Sequence, residues 1–144
     1  MSSQATIGYG SLFYRGDGAT PEVFTKVSEV FSIEPPSQEN DDVEVTNLDS
    51  PDRMKEYIAG MGEPGELALE MNFLPTDATQ DADTGLIADR ISGEVKNFRI
   101  MFSDASSTTA TFAGYVKSFK PGVAVSDRLT ASCTIKVSGP LAWA

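Results

Sequence analysis

Twenty-one carboxylates and no histidine set the chemistry that this 144-residue sequence can attempt. Two acidic runs, DDVEVTNLDSPD (41–52) and TDATQDADTG (76–85), carry the oxygen ligands that calcium takes. Neither keeps the loop spacing D-x-[DN]-x-[DN]-G-x5-E, so both read as solvated acidic loops and no metal is expected. Gly8, Gly10, Gly16 and Gly18 lack the strand-turn-helix setting of a phosphate cradle. Without histidine a Ser-His-Asp triad is impossible, and Cys133, the single cysteine, has no imidazole to activate it. Cys133 shares one strand phase with Leu129, Ala131, Ile135 and Val137 and reads as a small buried hydrophobe. A carboxylate pair for glycoside hydrolysis stays open on a β scaffold, yet one tryptophan gives little surface for stacking sugars. The expectation is a protein that is not an enzyme, with no catalytic residue and no cofactor.

The net charge of −10 opposes static binding to DNA or RNA, where Lys and Arg contacts to phosphate supply most of the affinity. No apolar run approaches the roughly twenty residues of a membrane span, and MSSQATIGYG lacks the basic end and apolar stretch of a signal peptide. The sequence implies a soluble chain folded in a cytoplasm. Its length suits one domain over 1–144.

The elements that must position any function are mostly strands. In ELALEMNF, Leu67, Leu69, Met71 and Phe73 fall on one face and Ala68, Glu70 and Asn72 on the other, the period of a half-buried strand. Residues 22–33, EVFTKVSEVFSI, predict a long strand with a bulge near Ser28-Glu29. Segments 98–102, 109–119 and 128–139 alternate and are joined by turn signals. A main helix is expected over 76–93, with Thr76 as cap, an apolar stripe of Ala78, Ala82, Leu86 and Ile91, and Gly93 as stop. A short helix is expected from Ser50, with Pro51 at its first position and Met54, Tyr57 and Ile58 on one face. The fold class is mainly β: an antiparallel β-sandwich or barrel with one main flanking α-helix, and a short helix in a long loop over 35–65.

Two segments carry apolar side chains with no evident partner in the chain. One is the arm 1–20, with Tyr9, Leu12, Phe13 and Tyr14; the other is the long loop, with Val43, Val45, Met54, Tyr57 and Ile58. Strand edges must be paired, charged or covered, and these features suit a subunit that closes its surface against copies of itself.

The run VEVTNLDSPDRMKEYIAGMGEPGELALEMNFLPTD (43–77), the N-terminal Tyr9-Gly10-Ser11-Leu12-Phe13, the strand VSEVFSIEPP (27–36) and the terminal TIKVSG (134–139) together resemble the major tail tube proteins of long-tailed, flexible-tailed bacteriophages. The resemblance covers nearly the whole chain through an ordered set of loose motifs. It implies a β-sandwich with a flanking helix, six copies in a ring, and rings stacked into the virion tail tube through which DNA leaves. The arm and the long loop would reach neighbouring subunits or rings, making the nine residues above interface residues. Glu29, Glu70 and Asn72, on polar strand faces, would face the channel. The partners implied are further copies, tail tip and tail terminator proteins and the tape measure protein, with DNA only in passage and no membrane. The location implied is the virion tail, after assembly in the host cytoplasm. No C-terminal immunoglobulin-like domain is expected, because the sequence stops shortly after Gly139. Two alternatives stand: the inner tube subunit of a contractile tail or injection machine, and a monomeric β-sandwich binding module with a concave aromatic site.

Overall fold

Strict alternation becomes burial along the strand Glu66–Asn72, where Leu67, Leu69 and Met71 are lost from solvent while Glu66 and Glu70 stay wet. The computed structural model describes residues 10–18, 21–123 and 128–144. In chain order the strands are β1 (Leu12–Gly16), β2 (Phe24–Lys26), β3 (Val30–Glu34), β4 (Glu39–Glu44), β5 (Tyr57–Glu63), β6 (Glu66–Asn72), β7 (Lys96–Met101), β8 (Thr109–Gly122) and β9 (Thr130–Trp143). One α-helix, α1 (Leu86–Ser92), and a 3-10 turn at Pro51–Arg53 complete them.

Seven strands form one antiparallel sheet in the order β2-β1-β7-β8-β9-β6-β3. Its two edge strands, β2 and β3, are consecutive in the chain, joined only by Val27, Ser28 and Glu29. Four Cα steps of 3.8 Å span at most about 15 Å, so the sheet must roll until its edges nearly meet. The inward faces fill the resulting barrel. Phe98 stacks between Phe13 and Phe112, with ring centroids 5.8 and 5.9 Å apart. Leu67, Leu69, Met71, Ile100, Cys133, Ile135 and Val137 fill the rest, and Leu86 of α1 joins them.

Several expectations need correction. Residues 22–33 do not make one strand: the chain breaks where the bulge was expected, at Ser28-Glu29, and the halves go to opposite edges of the sheet. Glu29 takes φ 56 at this corner. The main helix is confined to Leu86–Ser92, ending at Gly93 in the left-handed conformation. Ahead of it, Asp77 accepts from the Thr79 N–H at 2.8 Å, and Asp81 accepts from the N–H groups of Thr84 and Gly85 at 2.8 and 3.0 Å. These local bonds replace the helical ladder with turns. Gly85 is required there, since a Cβ would lie 2.4 Å from the backbone nitrogens of Gln80 and Asp81.

The short helix from Ser50 is also replaced. Only the turn Pro51–Arg53 forms, with Asp52 and Arg53 at positive φ, which stops a right-handed helix from continuing. Tyr57 and Ile58 instead lie in β5, paired with β4 as a separate two-stranded ribbon. The arm is part of the barrel from Leu12 onward, since β1 lies between β2 and β7. Phe13 is thereby a core residue, and its buried ring has no surface to offer a neighbour.

α1 is held by charge as well as packing. Buried Asp89 accepts from Arg15 Nε and Nη2 at 2.9 and 2.7 Å, with Lys96 Nζ at 3.6 Å. Gln80, fully buried, donates from Nε2 to the carbonyls of Ser28 (2.9 Å) and Asn72 (3.1 Å) and accepts from Leu74 N–H at 3.0 Å. One amide side chain thus ties the β2-β3 corner to the end of β6.

Candidate assembly surfaces

The β4-β5 ribbon has almost no buried residue along its length. Val43 lies opposite Ile58 and Glu44 opposite Tyr57, so each face mixes an apolar side chain with carboxylates. Gly60 allows this pairing, as a Cβ there would lie 3.0 Å from Val43 Cγ2 and 3.1 Å from the Asp41 carbonyl oxygen. Val43, Val45, Met54, Tyr57 and Ile58 are all exposed. The sequence reading missed two neighbours: Leu48, fully exposed at 104%, and Met61 at 84%. Met61 shares the apolar phase of β5, where the sequence pattern predicts a helix end, and Leu48 is the lone aliphatic in a polar turn.

The ribbon tip is built from its own hydrogen bonds. Ser50 Oγ accepts from Asn47 N–H (3.0 Å) and donates to Glu56 Oε2 (2.8 Å), while Thr46 Oγ1 accepts from Glu56 N–H (2.8 Å). Ser50 therefore holds the turn rather than capping a helix. Between residues 39 and 63 stand Glu39, Asp41, Asp42, Glu44, Asp49, Asp52, Glu56 and Glu63 against Arg53 and Lys55. That segment carries a net −6 of the chain's −10.

A second surface is the outward face of β3, β6, β9 and β8. Register places Ser32, Glu70, Ser132 and Lys120 in one row and Glu34, Ala68, Thr134 and Ser118 in the next. Lys117 Nζ reaches Glu66 at 2.8 Å and Lys136 Nζ at 3.9 Å. The hydrogen bond and charge of Lys117 hold the Glu66 carboxyl below its usual range, and Glu66 in turn raises the Lys117 ammonium. Glu29, Asn72 and Arg128 form a chain at one end: Asn72 Nδ2 donates to Glu29 Oε1 at 3.2 Å, and Arg128 Nε donates to Asn72 Oδ1 at 2.7 Å. Glu70 lies on this face, two residues from Asn72 in the same strand phase. The three residues assigned to the channel by resemblance thus share one region.

Between β1 and β3 the barrel seam leaves an apolar groove of about 750 Å3, lined by Gly10, Leu12, Phe31, Ile33, Ile100 and Phe102 among others. Leu12 sits half-buried there, Tyr14 is half-buried on the outward face of β1, and Tyr9 lies outside the described residues. Among the described residues, no three His, Cys, Asp or Glu side chains converge as a metal site, and no helix is long and apolar enough to cross a membrane. Cys133 is buried within the barrel, and burial pushes its thiol up to about 12.

A family model described as lambda phage tail tube protein matches residues 12–144. The chain belongs to the lambda phage tail tube protein family. It is a structural protein of the phage tail. No curated protein matches the sequence. Among solved structures, this tail tube protein superposes with TM-score 0.72 on a chain from the tail of an empty gene transfer agent particle refined with C6 symmetry. The two are 19% identical over 97% of this chain and 99% of that one. It gives TM-score 0.69 with the SPP1 tail tube, at 14% identity over 96% and 78% of the two chains. It gives TM-score 0.74 with a chain of the sheath/tube terminator structure of the PVC extracellular contractile injection system, at 13% identity over 100% and 99%. The fold is common to these assemblies.

Proposed function

We propose that this tail tube protein assembles as hexameric rings that stack into the tube through which DNA passes to the host. The observation that carries the reading is the β4-β5 ribbon. An isolated two-stranded hairpin is marginal in water, and this one holds Val43, Val45, Leu48, Tyr57, Ile58 and Met61 in solvent. Docking on a further copy gives those side chains a partner. The C6 symmetry of the gene transfer agent tail supports six subunits to a ring.

In this reading the outward face of β3, β6, β9 and β8 lines the channel. Its small hydroxyls stay hydrated, Glu29 and Glu70 repel phosphate, and Glu66 occupies the neighbouring lysines. DNA meets a wall with few cations left to hold it. Tape measure, tail tip and tail terminator proteins are the further partners the reading requires. Electron microscopy of the concentrated protein tests it. Rings or tubes with Glu70 at the wall of an axial channel are the expected result, and particles that stay single at every concentration refute it.

The likeness to contractile injection system chains favours a second reading, as an inner tube inside a sheath. Tubes that bind a sheath protein along their length would select that reading over a bare flexible tail.

A further inference from the structure

We propose that the β4-β5 ribbon of one copy docks on the outward face of β2, β1 and β7 of a second copy, its carboxylates against Lys26 and Arg99. The inference rests on the self-assembly reading above and names the receiving surface, which neither the family nor the fold likeness specifies.

Strands β1, β2 and β7 contain Arg15, Lys26, Lys96 and Arg99 and not one carboxylate. Arg15 and Lys96 turn inward to Asp89. Lys26 and Arg99 turn outward, one on each side of Tyr14, which is the register partner of both. The Arg99 guanidinium lies 4.0 Å over the Phe24 ring, and Met101 extends the apolar part of the same face. This surface is cationic and apolar where the ribbon is anionic and apolar.

The spacings agree. Asp42 and Glu44 lie two residues apart on one face of β4, about 7 Å, beside exposed Tyr57. Lys26 and Arg99 lie two strands apart, about 10 Å, on long side chains that close the difference. Glu22, at the border of the face, is already engaged by Asn97 Nδ2 (2.7 Å) and Gly18 N–H (3.0 Å). The other lysine-bearing face, on β8 and β9, is a poorer receiver. Glu66 occupies two of its lysines, and its rows are mainly Ser, Thr and Glu. Complementary charge of this kind fixes the register of an interface, while the apolar contacts supply its area.

The test is assembly of the full-length chain at about 0.1 M salt, where exposed charges act over about 10 Å. Assembly is followed by sedimentation and electron microscopy. Lys26→Glu combined with Arg99→Glu should raise the concentration needed for assembly at least tenfold. Adding Asp42→Lys and Glu44→Lys to that variant should restore assembly, which a misfolded chain could not show. Assembly of the Lys26/Arg99 variant at the parent's concentration overturns the docking surface and leaves the self-assembly reading standing. Loss without restoration also overturns it, because the cations would then serve folding alone. If the parent itself never assembles, both readings fall.

Discussion

Replacing Gln80 should open the barrel at its corner. The side chain is fully buried and makes three hydrogen bonds, to the Ser28 and Asn72 carbonyls and from the Leu74 N–H. At roughly 1 kcal/mol net for each bond, Gln80→Ala costs about 3 kcal/mol, a large part of the 5–15 kcal/mol that holds an ordinary domain together. Gln80→Glu keeps the shape but, when ionised, turns a carboxylate toward two carbonyl oxygens and loses both donors. Burial and those oxygens raise the introduced carboxyl's pKa above its unfolded value near 4.3. Its protonated form, which can donate one bond, is therefore favoured in the folded state. The variant's deficit relative to the parent should be smallest below about pH 4 and should widen as pH rises through the folded pKa. Urea unfolding followed by circular dichroism, at protein concentrations too low for assembly, reads both effects. A Gln80→Ala chain within 0.5 kcal/mol of the parent, or a Gln80→Glu deficit that does not change with pH, refutes the closing role.

Two other sites give separate checks. Asp89→Ala leaves Arg15 and Lys96 facing each other beside the core, and removing one partner of a buried ion cluster costs about 3–5 kcal/mol, measured by the same urea titration. The Cys133 thiol, pushed to about 12 by burial, should resist a thiol-specific reagent at pH 8 in the folded chain and react within the unfolding transition. Rapid labelling without denaturant would contradict the buried placement.

The strands that pair within the barrel were legible where one face meets the core and the other meets water. The alternation of β6 through β9 is a direct print of that asymmetry. The corner at Ser28-Glu29 was legible as a phase change, but not its consequence, because periodicity records which face is buried and not which neighbour a strand takes. The ribbon was read partly as helix because Ser50, Pro51 and Asp52 carry a helix-start pattern, while β4 reads ENDDVE and has no buried face to print. Residues 76–85 misled for a related reason: Asp77, Thr79, Asp81 and Thr84 suit a first helical turn and, equally, side-chain-to-backbone turns that compete with it. Phe13 was placed at an interface because a five-residue strand leaves too short a pattern to recognise. Gln80 carried no signal at all, since an amide inside an acidic run looks solvated until the fold closes over it.

The placement of β2 and β3 at opposite margins has a temporal corollary. As the polypeptide emerges from the ribosome, β1 can find β2 at once, yet its other neighbour is β7, with Leu12 waiting for Met101. β3 waits for β6, and β6 in turn for β9. Such non-local pairing places folding in the slow, milliseconds-to-seconds range of β-rich chains. During that interval β3 keeps an unpaired edge on the side that β6 later takes.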